Sequence, residues 1–371
     1  MLNSNALRQR WWMHRDQKVR YDADRDAAHV RDHPGAFEMK RCYQSSLYLT
    51  DCEGEEDDAF ICCPGSHAWE DGDGWISSGD GHHVSVPHAD PRVRAAISKL
   101  VVKRGEMILW DSRLAHMGGY VAKSSSRSSG GMPVKMLRLR PFEPAETEGA
   151  RAALEKDGVC LVRVASEEEM TRLETLLCED VSRIYDLPAA AAWNEYPERV
   201  YGRREKGGGS WGAIACGRAA WEARLLPERV RVFRDLLGTD DIVVSVDSVH
   251  WNDRRARLSF MASFCPRTSR SEEAFKRKCV AQAYGLARTT HWAALGDVSK
   301  FNYGGEHNKV PQTRYESVSR RWRGHGAVSA PPPDIRKVYV KRLPREIYSR
   351  ANAMTVEEAE ALLDPCVSRW L

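Results

Sequence analysis

The stretch GEMILWDSRLAH, residues 105–116, decides our prediction of the fold. Its first part, EMILWDS (106–112), has the short apolar run of a buried β-strand, and His116 follows shortly after that run. Helical periodicity is sparse before residue 122, and three more short β segments precede the stretch: SSLYLT (45–50), AFICC (59–63) and HHVSVP (82–87). We therefore predict that residues 1–122 form a β-rich unit in which one strand delivers His116 to a site.

A second pattern near the start of the chain supplies two partners for His116. In WMHRDQ, residues 12–17, the imidazole of His14 and the carboxylate of Asp16 are two positions apart. On an extended strand both side chains leave the same face, so the two can hold one ion together. With His116 as the third ligand, two histidines and one carboxylate give the donor set of non-haem Fe(II) oxygenases. In a chain with 12 His and 52 acidic residues such a triplet also arises by chance, so its context has to support it.

Composition narrows the class of protein. The chain has 371 residues, 42% of them apolar, which is enough for a globular core. Lys and Arg number 56 against 52 Asp and Glu, and no long single-sign block stands out, so we expect no nucleic-acid partner. The basic segment RRWRGHG (320–326) has no pattern of base-stacking aromatic residues and is interpreted as a solvated tail.

The sequence shows no run that is typical of a signal peptide or a membrane span, so we expect a cytoplasmic protein with no membrane partner. Its ten cysteines are scattered and form no C-x-x-C pair. This argues against a zinc ribbon or a redox motif, and favours buried thiols in a reducing compartment.

The composition and periodicity of the sequence change at two places. The run KSSSRSSGGM (123–132) is typical of a flexible loop, and VKMLRLRPF (134–142) then alternates like a strand, so residues 123–147 are predicted as linker and strand. Residues 148–308 alternate between helices and strands, and Ser166 with Glu169 has the spacing of a capping box. Residues 309–371 form a basic C-terminal tail that is predicted to end in the helix TVEEAEALL.

Four ordered motifs carry a resemblance to a known family. They are WMHRDQ, QSSLYLTD (44–51), PGSH (64–67) and GEMILWDSRLAH. In this order they resemble the motifs of phytanoyl-CoA dioxygenase-like Fe(II)/2-oxoglutarate-dependent oxygenases. The resemblance implies a mainly β fold with flanking helices, a double-stranded β-helix (jelly roll) of the cupin type. It also implies that His14, Asp16 and His116 are ligands of Fe(II), with 2-oxoglutarate as cosubstrate and O2 as oxidant. His67 of PGSH is left with two interpretations, a residue that lines the cleft or a structural residue of the turn.

The cosubstrate carboxylate needs a cation, and arginine suits it because its planar fork binds both oxygens. Members of the family are similar in supplying it from R-x-S on a strand after the distal histidine. Two segments match here, Arg257-Leu258-Ser259 and Arg127-Ser128-Ser129. We predict that Arg257 and Ser259 bind 2-oxoglutarate because Arg257 leads a convincing strand, whereas Arg127 falls in the serine-rich loop.

The segment order departs from the family. Residues 148–251 resemble the segment with which family members usually begin, yet here they follow the metal-binding core. We predict a permuted jelly roll that folds as one catalytic domain. A mis-assembled or truncated family member is the alternative.

By resemblance, we predict a dioxygenase that hydroxylates a small organic or lipid-like substrate. The carboxylate of Asp16 favours hydroxylation, because halogenating relatives carry a small residue there. A catalytically inactive jelly-roll binding protein and a cupin-type metal enzyme without 2-oxoglutarate are the alternatives. The sequence leaves the substrate and the oligomeric state open.

Overall fold

The computed structural model describes most of the two parts predicted to carry the fold. The described residues are 13–16, 42–55, 57–72, 74–77, 84–119, 134–185, 209–211, 217–245, 247, 249–252, 257–270, 272–283 and 353–371. The serine-rich loop with Arg127 and the basic segment 320–326 lie outside them.

Two β-sheets form the centre of the molecule. The first has seven strands, in the order β4 (Ile76–Ser77), β5 (Val84–Ser85), β1 (His14–Arg15), β8 (His116–Gly119), β3 (Ala59–Cys62), β6 (Ser98–Leu100) and β9 (Lys135–Leu137). The second runs in the order β10 (Pro141–Phe142), β11 (Val159–Arg163), β7 (Glu106–Asp111), β2 (Tyr43–Tyr48), β15 (Arg257–Pro266), β14 (Val249–Asn252) and β12 (Gly209–Trp211). The strand β13 (Ile242–Val244) also belongs to the second sheet and pairs with β15.

Helices accompany the sheets and follow the chain in this order: α1 (Pro91–Ala96), α2 (Thr147–Asp157), α3 (Glu167–Tyr185), α4 (Arg218–Arg224), α5 (Pro227–Leu237), α6 (Glu272–Ala283), α7 (Val356–Glu360) and α8 (Pro365–Ser368). The predicted capping box opens α3: Ser166 Oγ accepts from the Glu169 N–H at 3.2 Å, and the Glu169 carboxylate accepts from the Ser166 N–H at 2.8 Å. None of the helices in the described part of the chain is long and apolar enough to span a membrane.

The two sheets share one apolar layer. Phe60 of β3 and Leu100 of β6 join Ile108 and Trp110 of β7 in a single buried cluster, and the rings of Phe60 and Trp110 have their centroids 4.7 Å apart. Because the cluster draws on both sheets, they pack face to face across it. Any side chain on the inner face of either sheet therefore points into a shared interior.

The other face of the second sheet is covered by helices. Tyr43 and Leu47 of β2 and Met107 and Leu109 of β7 alternate with the inner residues and pack with residues of α2 to α6. The strand β7 is therefore buried on both faces along its whole length. This explains why EMILWD is a nearly continuous apolar run, without the alternation of a half-exposed strand.

The structure agrees with the predicted β-rich fold with flanking helices. It differs from the prediction in the segment that follows the serine-rich loop. VKMLRLRPF forms two short strands instead of one, β9 in the first sheet and β10 in the second. Alternation shows that a segment is extended, but it carries no information about which sheet each half joins.

Strands from the two predicted parts of the chain pair directly with each other. The later strand β11 lies antiparallel to β7, and the later strand β15 lies antiparallel to β2. The segment that begins at Arg257 is therefore built into the same sheet as the strand before His116.

Candidate metal centre

Three predicted ligands meet between the sheets. The Nε2 atom of His14 lies 3.4 Å from Asp16 Oδ1, and the Nε2 atom of His116 lies 3.3 Å from Asp16 Oδ2. One ligand atom from each of the three residues falls within 4.8 Å of the others, and all three residues are buried. The arrangement offers one ion two imidazole nitrogens and a carboxylate oxygen.

Strand pairing brings these residues together although they are far apart in sequence. The strands β1 and β8 are antiparallel neighbours, and His14 lies directly opposite His116. Asp16 follows β1, and its N–H donates to the Ser112 carbonyl at 3.0 Å. Since Ser112 lies just after β7, the chain on both sides of the 112–115 turn contributes to the site.

Hydrogen bonds fix the orientation of two of the ligands. The ring of His116 has Nδ1 at 2.9 Å from the Leu114 carbonyl, which can only accept, so Nδ1 donates and Nε2 keeps its lone pair for a metal. The side chain of Gln44 donates from Nε2 to Asp16 Oδ2 at 2.9 Å. Ser112 is a further acceptor for Gln44, at 3.4 Å, and itself donates to the Cys42 carbonyl at 2.7 Å.

Electrostatics favour the protonation states that bind a cation. Burial raises the pKa of Asp16, but the two imidazoles beside it, those of His14 and His116, together hold this pKa well below its usual range. Burial also lowers the pKa of His116, and this outweighs the opposing effect of Asp16. At neutral pH the carboxylate is therefore ionised and the His116 imidazole is neutral, as metal binding requires.

Two aromatic rings line the histidine side of the centre. Phe60 stacks on His116 with ring centroids 5.2 Å apart and an interplanar angle of 16°. Trp110 lies against the same imidazole, 5.5 Å away. Neither residue was predicted to belong to the site, although Trp110 lies inside the stretch that predicted His116. The rings shield the imidazole from water.

Buried polar atoms without a hydrogen-bond partner among the described residues face the same interior. They are Gln44 Oε1, Ser46 Oγ, Trp110 Nε1 and Ser259 Oγ. Gln44 and Ser46 lie two positions apart on the same face of β2. Trp110 lies on the adjacent β7, and Ser259 lies on β15 at the other edge of β2. A buried polar atom left unpaired costs about 1–3 kcal/mol, so this face suits a polar ligand. The donor set and this polar face fit Fe(II) together with a small oxo acid.

Gln44 was not predicted as a site residue. The signal was present, because Gln44 opens the QSSLYLTD motif and is a polar residue on a strand that is buried along its whole length. A polar side chain at such a position is found with a partner. Which partner it has was visible only in the tertiary structure.

The remaining predicted residues are Ser259, Arg257, Arg127 and His67. Ser259 is buried and pairs through its backbone with Tyr48 of β2, whereas Arg257 is the first residue of β15 and its side chain lies outside the described part. Arg127 also lies outside the described residues. His67 has its Nε2 atom 3.1 Å from the Glu155 carbonyl, so of its two interpretations the contacts favour the structural role in the turn.

Comparison with known proteins bears on one part of the chain. No curated protein and no solved structure matches the chain. The matching family model covers about a third of the residues, including all three candidate ligands and Arg127 but not Arg257. The resemblance predicted from the sequence is thereby confirmed for residues 7–129, which match the model of the phytanoyl-CoA dioxygenase (PhyH) family.

Proposed function

We propose that this chain is an Fe(II)- and 2-oxoglutarate-dependent dioxygenase that hydroxylates a small organic or lipid-like substrate. The observation that carries the proposal is the buried meeting of His14, Asp16 and His116 within a segment that matches an oxygenase family. Two histidines and one carboxylate on one side of an ion leave its other positions open for further ligands.

The residues of the chain have distinct tasks in this proposal. His14, Asp16 and His116 hold the ion, while Gln44 fixes one oxygen of Asp16 and so limits its rotation. When bound, Fe(II) with 2-oxoglutarate and O2 supplies the oxidising power to insert oxygen into a C–H bond. Phe60 and Trp110 keep bulk water away from the His116 side of this chemistry.

We further propose that Arg257 and Ser259 bind the distal carboxylate of 2-oxoglutarate. The position of β15 supports this assignment, because β15 pairs with β2 and β2 carries the Gln44 that contacts Asp16. Ser259 also presents a buried hydroxyl with no partner among the described residues. Arg127 is the competing arginine, and it falls inside the matched family segment.

For the fold we propose a double-stranded β-helix whose segments follow a permuted order. Two sheets that face each other across one apolar layer support the double-stranded β-helix. The pairing of β11 and β15 with the earlier strands β7 and β2 supports a permuted chain that closes into one catalytic domain. Such rearrangements are tolerated when the joined ends lie close together.

The proposal is tested by anaerobic titration of the purified protein with Fe(II) and 2-oxoglutarate. We expect the weak visible charge-transfer band of the chelate to form in the wild type and to be lost in His14→Ala and Asp16→Ala. The variant His88→Ala, which removes an exposed histidine from a turn before α1, is the matched control and should retain the band.

Two outcomes of this titration count against the proposal. No band in the folded wild type, or a band that persists in both ligand variants, would overturn it. If the band forms, comparison of Arg257→Ala with Arg127→Ala identifies the cosubstrate arginine, because only the correct substitution should raise the concentration of 2-oxoglutarate needed for half-saturation.

A further inference from the structure

We propose that Arg15 is a positioning residue for the metal centre, and that it acts through the turn formed by residues 63–69. In this role it holds the strand that carries His14 and Asp16 at a fixed place relative to the strand that carries His116. The inference rests on the proposed metal centre, and it assigns a task to the PGSH motif, which the proposed chemistry does not use.

Arg15 lies between two ligands but points away from them. Successive side chains of a strand leave opposite faces, so the guanidinium of Arg15 emerges on the side opposite His14 and Asp16. It is completely buried there. Its Nη1 donates to Asp71 Oδ1 at 2.8 Å, and the guanidinium carbon lies 4.3 Å from the centre of the Trp75 ring.

The second terminal nitrogen of Arg15 binds the 63–69 turn. Its Nη2 donates to the carbonyl of Ser66 at 2.5 Å and to the carbonyl of Trp69 at 3.0 Å. A planar guanidinium can satisfy two carbonyls and a carboxylate at once, whereas a lysine ammonium has no such fork. The backbone of the turn is thereby fixed with respect to β1.

The same turn also binds the strand of the third ligand. Ser66 Oγ accepts from the N–H of Ala115 at 2.8 Å, and the N–H of Cys63 donates to the Ala115 carbonyl at 3.0 Å. Ala115 is the residue immediately before His116. Ser66 therefore receives hydrogen bonds from both sides of the centre, from Arg15 at its carbonyl and from Ala115 at its hydroxyl.

Helix α2 anchors the turn. The N–H of Gly65 donates to the Asp157 carbonyl at 2.7 Å, and His67 donates to the Glu155 carbonyl at 3.1 Å. Gly65 can take part because it adopts a φ of +82°, a left-handed conformation that favours glycine. Because two residues of the turn are bound to α2, the turn is fixed relative to this helix. It can therefore constrain both strands instead of moving with either one.

The short length of β1 explains why this constraint matters. The strand has two residues and faces β8 through the single pair His14 and His116. β1 also pairs with β5 at its other edge, but the single pair with β8 leaves its tilt relative to β8 weakly determined, and a small tilt changes the separation of the ligand nitrogens. Residues that orient metal ligands in this way typically affect metal affinity by about 10–100-fold.

The experiment compares two buried arginines. Arg229 is also completely buried and donates to Ala223 and Phe260 carbonyls and to Ser45 Oγ, on the face of β2 opposite Gln44. Arg15→Met and Arg229→Met therefore remove similar groups, but only the first touches the 63–69 turn. Each variant is titrated with Co(II), whose visible spectrum reports the geometry of the site, and the metal-free proteins are followed by amide hydrogen exchange.

We expect Arg15→Met to raise the Co(II) dissociation constant by about 10–100-fold and to change the visible Co(II) spectrum. Arg229→Met should match the wild type in both respects. In the metal-free protein the amides of Asp16 and Ala115 should exchange faster in Arg15→Met alone. Arg15→Lys, which keeps the charge but not the fork, should recover only part of the affinity.

Ser66→Ala covers the case in which Arg15→Met does not fold. It removes only the hydroxyl that binds Ala115, and it should weaken Co(II) binding and deprotect the Ala115 amide. The inference is overturned if Arg15→Met, or Ser66→Ala where Arg15→Met does not fold, leaves Co(II) affinity and amide protection unchanged. Equal loss of affinity in Arg15→Met and Arg229→Met also overturns it. If the wild type does not bind Co(II), the proposed function fails, and amide exchange alone decides whether Arg15 fixes the strands.

Discussion

Two glycines that end helices should respond very differently to the same substitution. Gly158 follows α2 with a φ of +73°, and Gly238 follows α5 with a φ of +67°. Both adopt the left-handed conformation, which costs an alanine about 1–2 kcal/mol. The reduced entropy of the unfolded chain offsets roughly 0.4–1 kcal/mol of this. The backbone effect is therefore about 1 kcal/mol at either site.

The two sites differ in the space that is available for the new methyl group. A Cβ at Gly158 would lie 2.5 Å from His67 Nδ1 and 3.0 Å from Leu114 Cδ1, whereas at Gly238 it would meet nothing within 4 Å. His67 cannot move freely because it is bound to the Glu155 carbonyl. Overpacking of this kind adds about 1–3 kcal/mol. We expect Gly158→Ala to lower the free energy of unfolding by roughly 2–4 kcal/mol and Gly238→Ala by roughly 1 kcal/mol.

Urea unfolding of the wild type and both variants measures this difference through the midpoint at constant slope. Adding His67→Ala to Gly158→Ala removes the obstructing ring, so the double variant should lose less stability than the two single effects summed. Equal midpoints for Gly158→Ala and Gly238→Ala would refute the steric reasoning, and strict additivity in the double variant would refute the role of His67.

Three further predictions concern the site and the core. Gln44→Leu removes the hydrogen bond to Asp16, so the Co(II) dissociation constant should rise by about 10-fold or more in a direct titration. Phe60→Ala leaves a cavity between the sheets and should lower the free energy of unfolding in urea by about 3–5 kcal/mol. Burial lowers the pKa of Lys278 from 10.5 to about 7, so between these pH values the unfolded chain binds more protons and stability should rise with pH. This contribution has a slope of at most about 1.4 kcal/mol per pH unit and should vanish in Lys278→Met.

Each of these predictions has an outcome that contradicts it. Unchanged Co(II) affinity in Gln44→Leu would mean that Asp16 is oriented without the amide. A loss below about 1 kcal/mol for Phe60→Ala would mean that the inter-sheet layer collapses around the gap. Parallel stability profiles of the wild type and Lys278→Met from pH 7 to 10 would mean that the amine is not desolvated in the folded protein.

Local sequence was sufficient for features that depend on neighbouring residues. The two-residue spacing of His14 and Asp16 places both on one face, and Ser166 with Glu169 forms the capping box that its spacing predicted. The run EMILWD was predicted as a strand for the same reason, since period and composition report how a short segment is buried.

Features that join distant segments needed the tertiary structure. The register that sets His14 against His116, the contact of Gln44 with Asp16 and the place of β15 beside β2 all depend on strand pairing between remote parts of the chain. Pairing of this kind is selected by the packing of whole sheets, whereas periodicity reports only which face a side chain takes. The sequence by itself thus indicated which residues are candidate metal ligands, and the folded sheets decided that Gln44 contacts Asp16 and that the 63–69 turn contacts both Arg15 and Ala115.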